Sequence, residues 1–355
     1  MTGPVLIMAG GTGGHIFPGL AVAQELQRRS VPVAWMGAAS GMEAELIPRY
    51  GIPFYPIDAR RLRGQRLVAR LLLPLILLRA MFQAIGVVRR LAPRTVLGMG
   101  GFAAGPGGLA AWLLRRPLVI HEQNRIPGLT NRLLARLARI VLSGFPDAFP
   151  EALGAVYIGN PVREEIYQVE PPERRFGRSE KARLLVLGGS QGALRLNEIL
   201  PKALAGMAQP PAVCHQVGKV HLERARKAYA EAGVEADVVA FIDAMADAYR
   251  QADLVVARAG ALTVAELAAV GIGAILVPFP YAVDDHQTRN AEFLADAGAA
   301  EIVPEADLTE ARLTGRLTEL LADRSRLVAM AQAARELATP DAARNAADAC
   351  LEVAA

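Results

Sequence analysis

Cysteine is nearly absent. Cys214 and Cys350 are the only two in 355 residues, too few for a disulfide framework or a thiolate zinc site, and consistent with a reducing compartment. Long apolar runs are missing too. The longest strongly apolar stretch, Leu71 to Leu78, is eight residues between Arg70 and Arg79 and falls far short of the roughly 20 residues a bilayer-spanning helix needs. Val5-Leu6-Ile7-Met8-Ala9 runs straight into glycines with no basic leader, so a signal peptide is not expected. The 33 glycines and 23 prolines follow no triplet period or repeat unit, which excludes collagen-like and solenoid architectures. None of the five histidines pairs with another ligand at metal spacing, and no Asp-x-Asp pair occurs. No bound metal or other cofactor is therefore expected.

Lysine is missing from the whole first part of the chain. Residues 1–160 hold 18 arginines against 7 acids, a net +11, whereas residues 161–355 carry −7. No acid occurs between Asp58 and Glu122, a stretch with eleven arginines. A field this lopsided attracts anionic partners, for which nucleic acid and anionic lipid are the candidates. Nucleic acid is the weaker one, because only Phe82, Phe102 and Trp112 interleave the basic stretch and no recognition motif accompanies them.

With 52 % hydrophobic residues, the chain can fill two domain cores. Short Val/Leu/Ile runs at 5–9, 33–37, 94–98, 117–121 and 139–142, then 183–188, 212–217, 237–241, 253–257, 273–279 and 299–303, alternate with helical patterns. That rhythm predicts an α/β fold with parallel sheets covered on both faces. Gly159-Asn160-Pro161 and the polar run Glu170-Pro171-Pro172-Glu173-Arg174-Arg175 read as the junction. Two Rossmann-like domains, 1–160 and 161–337, are expected to face each other across a cleft, the default site.

Three glycine-rich turns follow strand candidates: Gly10-Gly11-Thr12-Gly13-Gly14-His15, Gly98 to Gly108, and Gly188-Gly189-Ser190-Gln191-Gly192-Ala193. Such turns let the backbone approach a ligand and aim helix N-terminal N–H groups at a phosphate. No clean dinucleotide fingerprint or P-loop occurs. A nucleotide diphosphate without metal would then need helix N-termini and arginine, with Arg163 and Arg258 as candidates. Thr263-x-x-Glu266 has capping-box spacing, but Glu266 also sits where an acid can accept hydrogen bonds from a ribose diol.

Taken together, Gly10 to His15 with Pro18-Gly19, Gly98-Met99-Gly100-Gly101, His121-Glu122-Gln123-Asn124, Gly159-Asn160-Pro161-Val162-Arg163, Gly188 to Ala193 and Arg258 to Thr263 closely resemble the MurG glycosyltransferases of family 28. The resemblance spans essentially the whole chain. It implies the GT-B fold, with a last helix around 338–355 returning to the N-terminal domain. It also implies inverting, metal-independent transfer of GlcNAc from UDP-GlcNAc to the muramoyl 4-hydroxyl of lipid I, forming lipid II for peptidoglycan.

By matching motif, the C-terminal domain would hold the donor: Phe241 and Ile242 near the uracil, Glu266 on the ribose, Ser190, Gln191, Ala261, Leu262 and Thr263 around the phosphates, with Arg163 and Arg258. His286 replaces the first of two adjacent glutamines usual in the family and Ala259 a common serine, leaving Gln287 and Asn290 near the donor sugar. From the N-terminal half, Thr12, Gly13, Gly14 and Asn124 would approach the donor, and Gly13, Gly14, Gly100 and Gly101 the acceptor diphosphate. His15 is the candidate general base and Glu122 the fallback. Leu75, Leu78, Arg79 and Phe82, with Arg60, Arg61, Arg63, Arg66 and Arg70 nearby, would meet an anionic membrane at the cytoplasmic face of the plasma membrane. Proteins of cell-wall synthesis and division are the further partners implied. The alternative is another GT-B enzyme acting on a nucleotide sugar, a glycolipid glycosyltransferase or a UDP-GlcNAc 2-epimerase.

Overall fold

The computed structural model describes residues 3–59, 73–176, 181–189 and 192–354. The chain divides into two compact units, Met1–Arg163 with Thr339–Ala355, and Glu164–Ala338.

The first unit is built on a parallel sheet of β1 (Val5–Met8), β2 (Val33–Ala38), β3 (Phe54–Ile57), β4 (Thr95–Gly98), β5 (Leu118–Glu122), β6 (Ile140–Ser143) and β7 (Val156–Tyr157), in the order β3-β2-β1-β4-β5-β6-β7. The central strands are buried on both faces, which is why they read as continuous apolar runs. The two strands the sequence did not announce are the edges. β3 contains Pro56 and is mostly half-exposed, and β7 is two exposed residues; edge strands tolerate proline and carry little apolar signal.

The C-terminal helix Ala342–Glu352 belongs to this first unit. Its Ala346, Ala347 and Cys350 enter the core formed by Val5, Ile7, Leu20 and Trp35. Thr95 Oγ1 donates to the Cys350 carbonyl at 2.6 Å, and Arg29 pairs with Asp348.

In the second unit, β8 (Arg183–Leu187), β9 (Ala212–Gln216), β10 (Asp237–Val239), β11 (Leu254–Ala257), β12 (Ala274–Leu276) and β13 (Ala300–Ile302) form a parallel sheet in the order β10-β9-β8-β11-β12-β13. Both sheets therefore follow the Rossmann strand order, whose turning point lies between the first and fourth strands. The polar run 170–175 is not a linker. Pro172–Arg175 forms a short helix, and buried Arg175 donates to the carbonyls of Val270 at 3.2 Å and of Gly271. The cation thereby satisfies orphan carbonyls at the C-terminus of the helix Ala261–Val270.

The helix Leu73–Leu91 packs through small residues. Ala80, Ala84 and Val88 are its buried stripe, whereas Leu75, Leu78 and Phe82 are 65 %, 55 % and 71 % exposed. Gln83 and Arg79 fasten it to Asp58 after β3: Gln83 Oε1 accepts from Asp58 N at 2.8 Å, and Arg79 Nε lies 2.7 Å from the carboxylate. Arg60, Arg61, Arg63, Arg66 and Arg70 lie outside the described residues.

Candidate active site

Four helices begin directly after glycine turns at the C-terminal ends of strands: Gly13–Arg28, Ala104–Leu113, Leu194–Ala205 and Ala261–Val270. None has a side-chain cap or an acid in its first turn. By contrast, the helices Glu310–Ala322 and Arg324–Glu336 are capped by Thr309 and Asp323. Uncapped N-terminal amides at strand ends are ready anion sites, and an acidic first turn would oppose an anion there.

In the first unit the two glycine turns are packed against each other. A Cβ on Gly101 would lie 2.2 Å from the Gly10 carbonyl, and its φ of +79° is left-handed, so only glycine fits. Beneath them lies Glu43, which the sequence reading missed. Fully buried, it accepts from Ala38 N at 2.9 Å and Gly11 N at 3.4 Å and fills the space beside Gly10, Gly37 and Gly41. Its role depends on glycines from separate turns converging, so no local motif reveals it.

His15 follows the first turn and retains partial solvent access. Its Nδ1 lies 2.6 Å from Gln123 Oε1, and its ring sits 3.1 Å from where a Gly100 Cβ would be. Gln123 Nε2 lies 3.0 Å from both His121 Nδ1 and the His121 carbonyl, and His121 Nε2 lies 2.9 Å from the Gly159 carbonyl. Complete burial pushes His121 down to about 4, so at neutral pH it is uncharged. Thr12, Gly13 and Gly14 line the start of the helix Gly13–Arg28, with Thr12 exposed.

Glu122 does not suit the fallback-base role. It is 1 % exposed, and its oxygens accept from Asn124 N at 2.9 Å, Asn124 Nδ2 at 3.2 Å, Gly128 N at 3.1 Å and Asn131 Nδ2 at 2.9 Å. A carboxylate so enclosed shapes the loop after β5 and has no path to a hydroxyl. Asn124 is held by that carboxylate. Arg163 closes the first unit, its guanidinium 5.1 Å from the Phe17 ring centroid.

In the second unit, Ser190 and Gln191 lie outside the described residues. Glu266 is buried and accepts from Tyr249 Oη at 3.0 Å. The capping-box alternative fails. Gly260 is the N-cap, so Thr263 lies inside the first turn and Glu266 a turn further on. Ala261, Leu262 and Thr263 form that first turn. Phe241 is exposed and Ile242 half-buried after β10.

Two residues expected on the donor are committed to the scaffold. Arg258 donates through Nη1 to the carbonyls of Val277 and Pro278 at 3.1 Å each and pairs with Glu305 through Nη2, so its charge is already neutralised inside the unit. Asn290 is fully buried and donates to the Ala259 carbonyl at 3.2 Å, fixing the strand end before Gly260. Gln287 Oε1 accepts from Phe279 N at 2.9 Å. His286 and Gln287 follow Asp284 and Asp285, whose φ angles of 54° and 52° are left-handed; consecutive non-glycine residues in that region are uncommon away from functional loops. Neither cysteine is a nucleophile, because burial pushes Cys214 up to about 11 and Cys350 up to about 12.

Paired Rossmann-ordered units with uncapped helix N-termini at their strand ends are the architecture of the GT-B fold. The family model of the glycosyltransferase family 28 N-terminal domain matches residues 5–143 and that of the C-terminal domain residues 183–346; the chain belongs to glycosyltransferase family 28. It is 56 % identical, over 100 % of both chains, to a protein of Alkalilimnicola ehrlichii named UDP-N-acetylglucosamine--N-acetylmuramyl-(pentapeptide) pyrophosphoryl-undecaprenol N-acetylglucosamine transferase. A protein of the same name from Marinobacter nauticus is 54 % identical, with 98 % of this chain and 97 % of that one covered. The crystal structure of Acinetobacter baumannii MurG superposes with a TM-score of 0.82 at 41 % identity, covering 99 % of each chain.

Proposed function

We infer that this protein transfers GlcNAc from UDP-GlcNAc to the muramoyl 4-hydroxyl of undecaprenyl-diphospho-MurNAc-pentapeptide, converting lipid I to lipid II. The observation that carries this reading is the full-length 56 % identity to a relative bearing that transferase name. The second unit takes the donor. Glu266 accepts from the ribose hydroxyls, Phe241 and Ile242 border the uracil, the amides of Ala261, Leu262 and Thr263 receive the diphosphate together with Ser190 and Gln191, and Gln287 meets the sugar. The first unit takes the acceptor, whose diphosphate is met by the turns at Gly13-Gly14 and Gly100-Gly101.

In the reaction, the acceptor oxygen bonds to the anomeric carbon and gives its proton to His15 Nε2. The bond from that carbon to the phosphate oxygen breaks, and UDP leaves with the electron pair. Helix N-terminal amides meet the charge developing on UDP without a metal. The test is UDP release from UDP-GlcNAc with and without a lipid I analogue. Release should depend on the acceptor and continue in the presence of a chelator. A 2-epimerase would act without acceptor, and loss of release with chelator that magnesium restores would refute the metal-free account.

No described helix is long and apolar enough to cross a membrane. The reading of the first unit as a peripheral membrane face rests on exposed Leu75, Leu78 and Phe82, with exposed Trp112 and Leu113 on the neighbouring helix. Arg89, Arg90 and Arg115 add positive charge on the same two segments. Of the expected contacts, Arg79 is partly neutralised by Asp58. Docking there would place the enzyme at the cytoplasmic face of the plasma membrane, beside the cell-wall synthesis and division proteins. Phe82→Glu removes a large apolar anchor worth roughly 1.5–3 kcal/mol. Co-sedimentation with anionic vesicles should then weaken about 10-fold or more, with turnover of a water-soluble acceptor analogue retained; unchanged sedimentation would remove this face from the membrane.

A further inference from the structure

The contacts beneath His15 leave no freedom in the direction of their hydrogen bonds. They end at the Gly159 carbonyl, which can only accept, so His121 must donate to it through Nε2–H at 2.9 Å. His121 is neutral at working pH, and its Nδ1 is then an acceptor. The group facing that Nδ1 at 3.0 Å, and the His121 carbonyl at 3.0 Å, is one end of the Gln123 amide. Only the NH₂ end satisfies two acceptors at once. The reversed amide would set its oxygen against the carbonyl oxygen and against the His121 lone pair, so the orientation follows from the network itself. Gln123 Oε1 must therefore face His15, and His15 donates to it through Nδ1–H at 2.6 Å. The lone pair of His15 is left on Nε2, to which no described residue is hydrogen-bonded.

Each member is anchored. Gln123 is 1 % exposed, and its carbonyl accepts from Asn160 Nδ2 at 3.0 Å. Asn131 Nδ2 shares the His121 carbonyl at 3.2 Å. Gly159 has φ +83°, and a Cβ there would collide with the Thr339 side chain, so only glycine fits where the returning C-terminal segment passes the residue on whose carbonyl the chain of bonds terminates.

We propose that Gln123 is a positioning residue that, with His121 behind it, locks His15 in the Nδ1–H tautomer and so presents Nε2 as the proton acceptor for the sugar hydroxyl. This rests on the reading of His15 as the base. Gln123 acts through His15 and touches no reacting atom. An imidazole with no fixed partner at Nδ1 would divide between tautomers, and only one of them can accept at Nε2.

The test is a long-range proton–nitrogen correlation spectrum of the full-length protein carrying ¹⁵N-labelled histidine, at neutral pH. His15 is assigned by the signals that vanish in His15→Asn, and His121 by those lost in His121→Asn. The expected spectrum has His15 protonated on Nδ1 and His121 on Nε2. In Gln123→Leu, His15 should lose that single form, and kcat should fall by about 10-fold or more with both KM values within about 2-fold. His15 protonated on Nε2 in the wild type overturns the proposal even if Gln123→Leu does not fold. So does a Gln123→Leu variant whose tautomer or kcat is unchanged. Failure of the base reading looks different: His15→Ala would keep its kcat while the wild-type spectrum still showed Nδ1–H.

Discussion

Replacing His15 by alanine is expected to lower kcat by about 10²- to 10⁴-fold with the donor KM little changed. The acceptor hydroxyl has to lose its proton as it attacks, and an imidazole titrating near 6.5 in its reference state suits that task near neutral pH. The arrangement around the ring favours this role over a binding one. Its Nδ1 is committed to Gln123 at 2.6 Å, so the nitrogen left over is an acceptor, which a phosphate oxygen cannot use but a hydroxyl proton can. A residue that only bound the lipid diphosphate would, when truncated, chiefly raise the acceptor KM. Saturating acceptor would then restore near-normal kcat, and that result would remove His15 from the base role. No carboxylate in the His121–Asn124 motif stands ready to replace it, because Glu122 is closed off by four donors.

Stability is expected to fall as pH drops from about 6.5 toward 4, by about 3 kcal/mol in each unit over that interval. Two buried histidines drive this, one per unit. Burial pushes His121 down to about 4 and His215 to about 3. Below the unfolded-state value of about 6.5, the unfolded chain takes up a proton that the folded chain refuses, so the unfolded state is favoured progressively as pH falls. Above about 6.5 neither state is protonated and the dependence vanishes. His215 Nδ1 lies 2.9 Å from Tyr229 Oη, and its buried Nε2 has no partner among the described residues. Thermal melts between pH 7.5 and 4 check this, with His215→Leu as the control. The variant should start less stable but lose less on acidification. Equal slopes for variant and wild type would show that His215 titrates in the folded state.

The interior strands of both sheets were legible because burial on two faces writes itself as an unbroken apolar run. The edge strands β3 and β7 were not, since an edge needs no such run. Glycine turns after strands were equally plain. Harder to read were residues whose task is set by distant neighbours. The capping-box spacing at Thr263 and Glu266 misled because the helix starts earlier, at Ala261, where the N-cap is a glycine with no side chain to advertise it. Arg258 and Asn290 sit in the right motif but turn inward, toward Glu305 and the Ala259 carbonyl. A sequence lists such polar groups without saying which of them the fold will already have satisfied. Glu43 and Gln123 are the converse: Glu43 belongs to no motif and Gln123 stands in the His121–Asn124 motif without an assigned role, yet three glycines converge on the one and two histidines on the other.

The most direct measurement is the structure of the product formed from UDP-GlcNAc and a lipid I analogue. Mass spectrometry should find one added N-acetylhexosamine. The proton coupling at its anomeric carbon should report a β linkage to the muramoyl 4-hydroxyl, inverted from the α configuration of the donor. An α-linked product, attachment at another hydroxyl, or free sugar with the acceptor untouched would contradict the account.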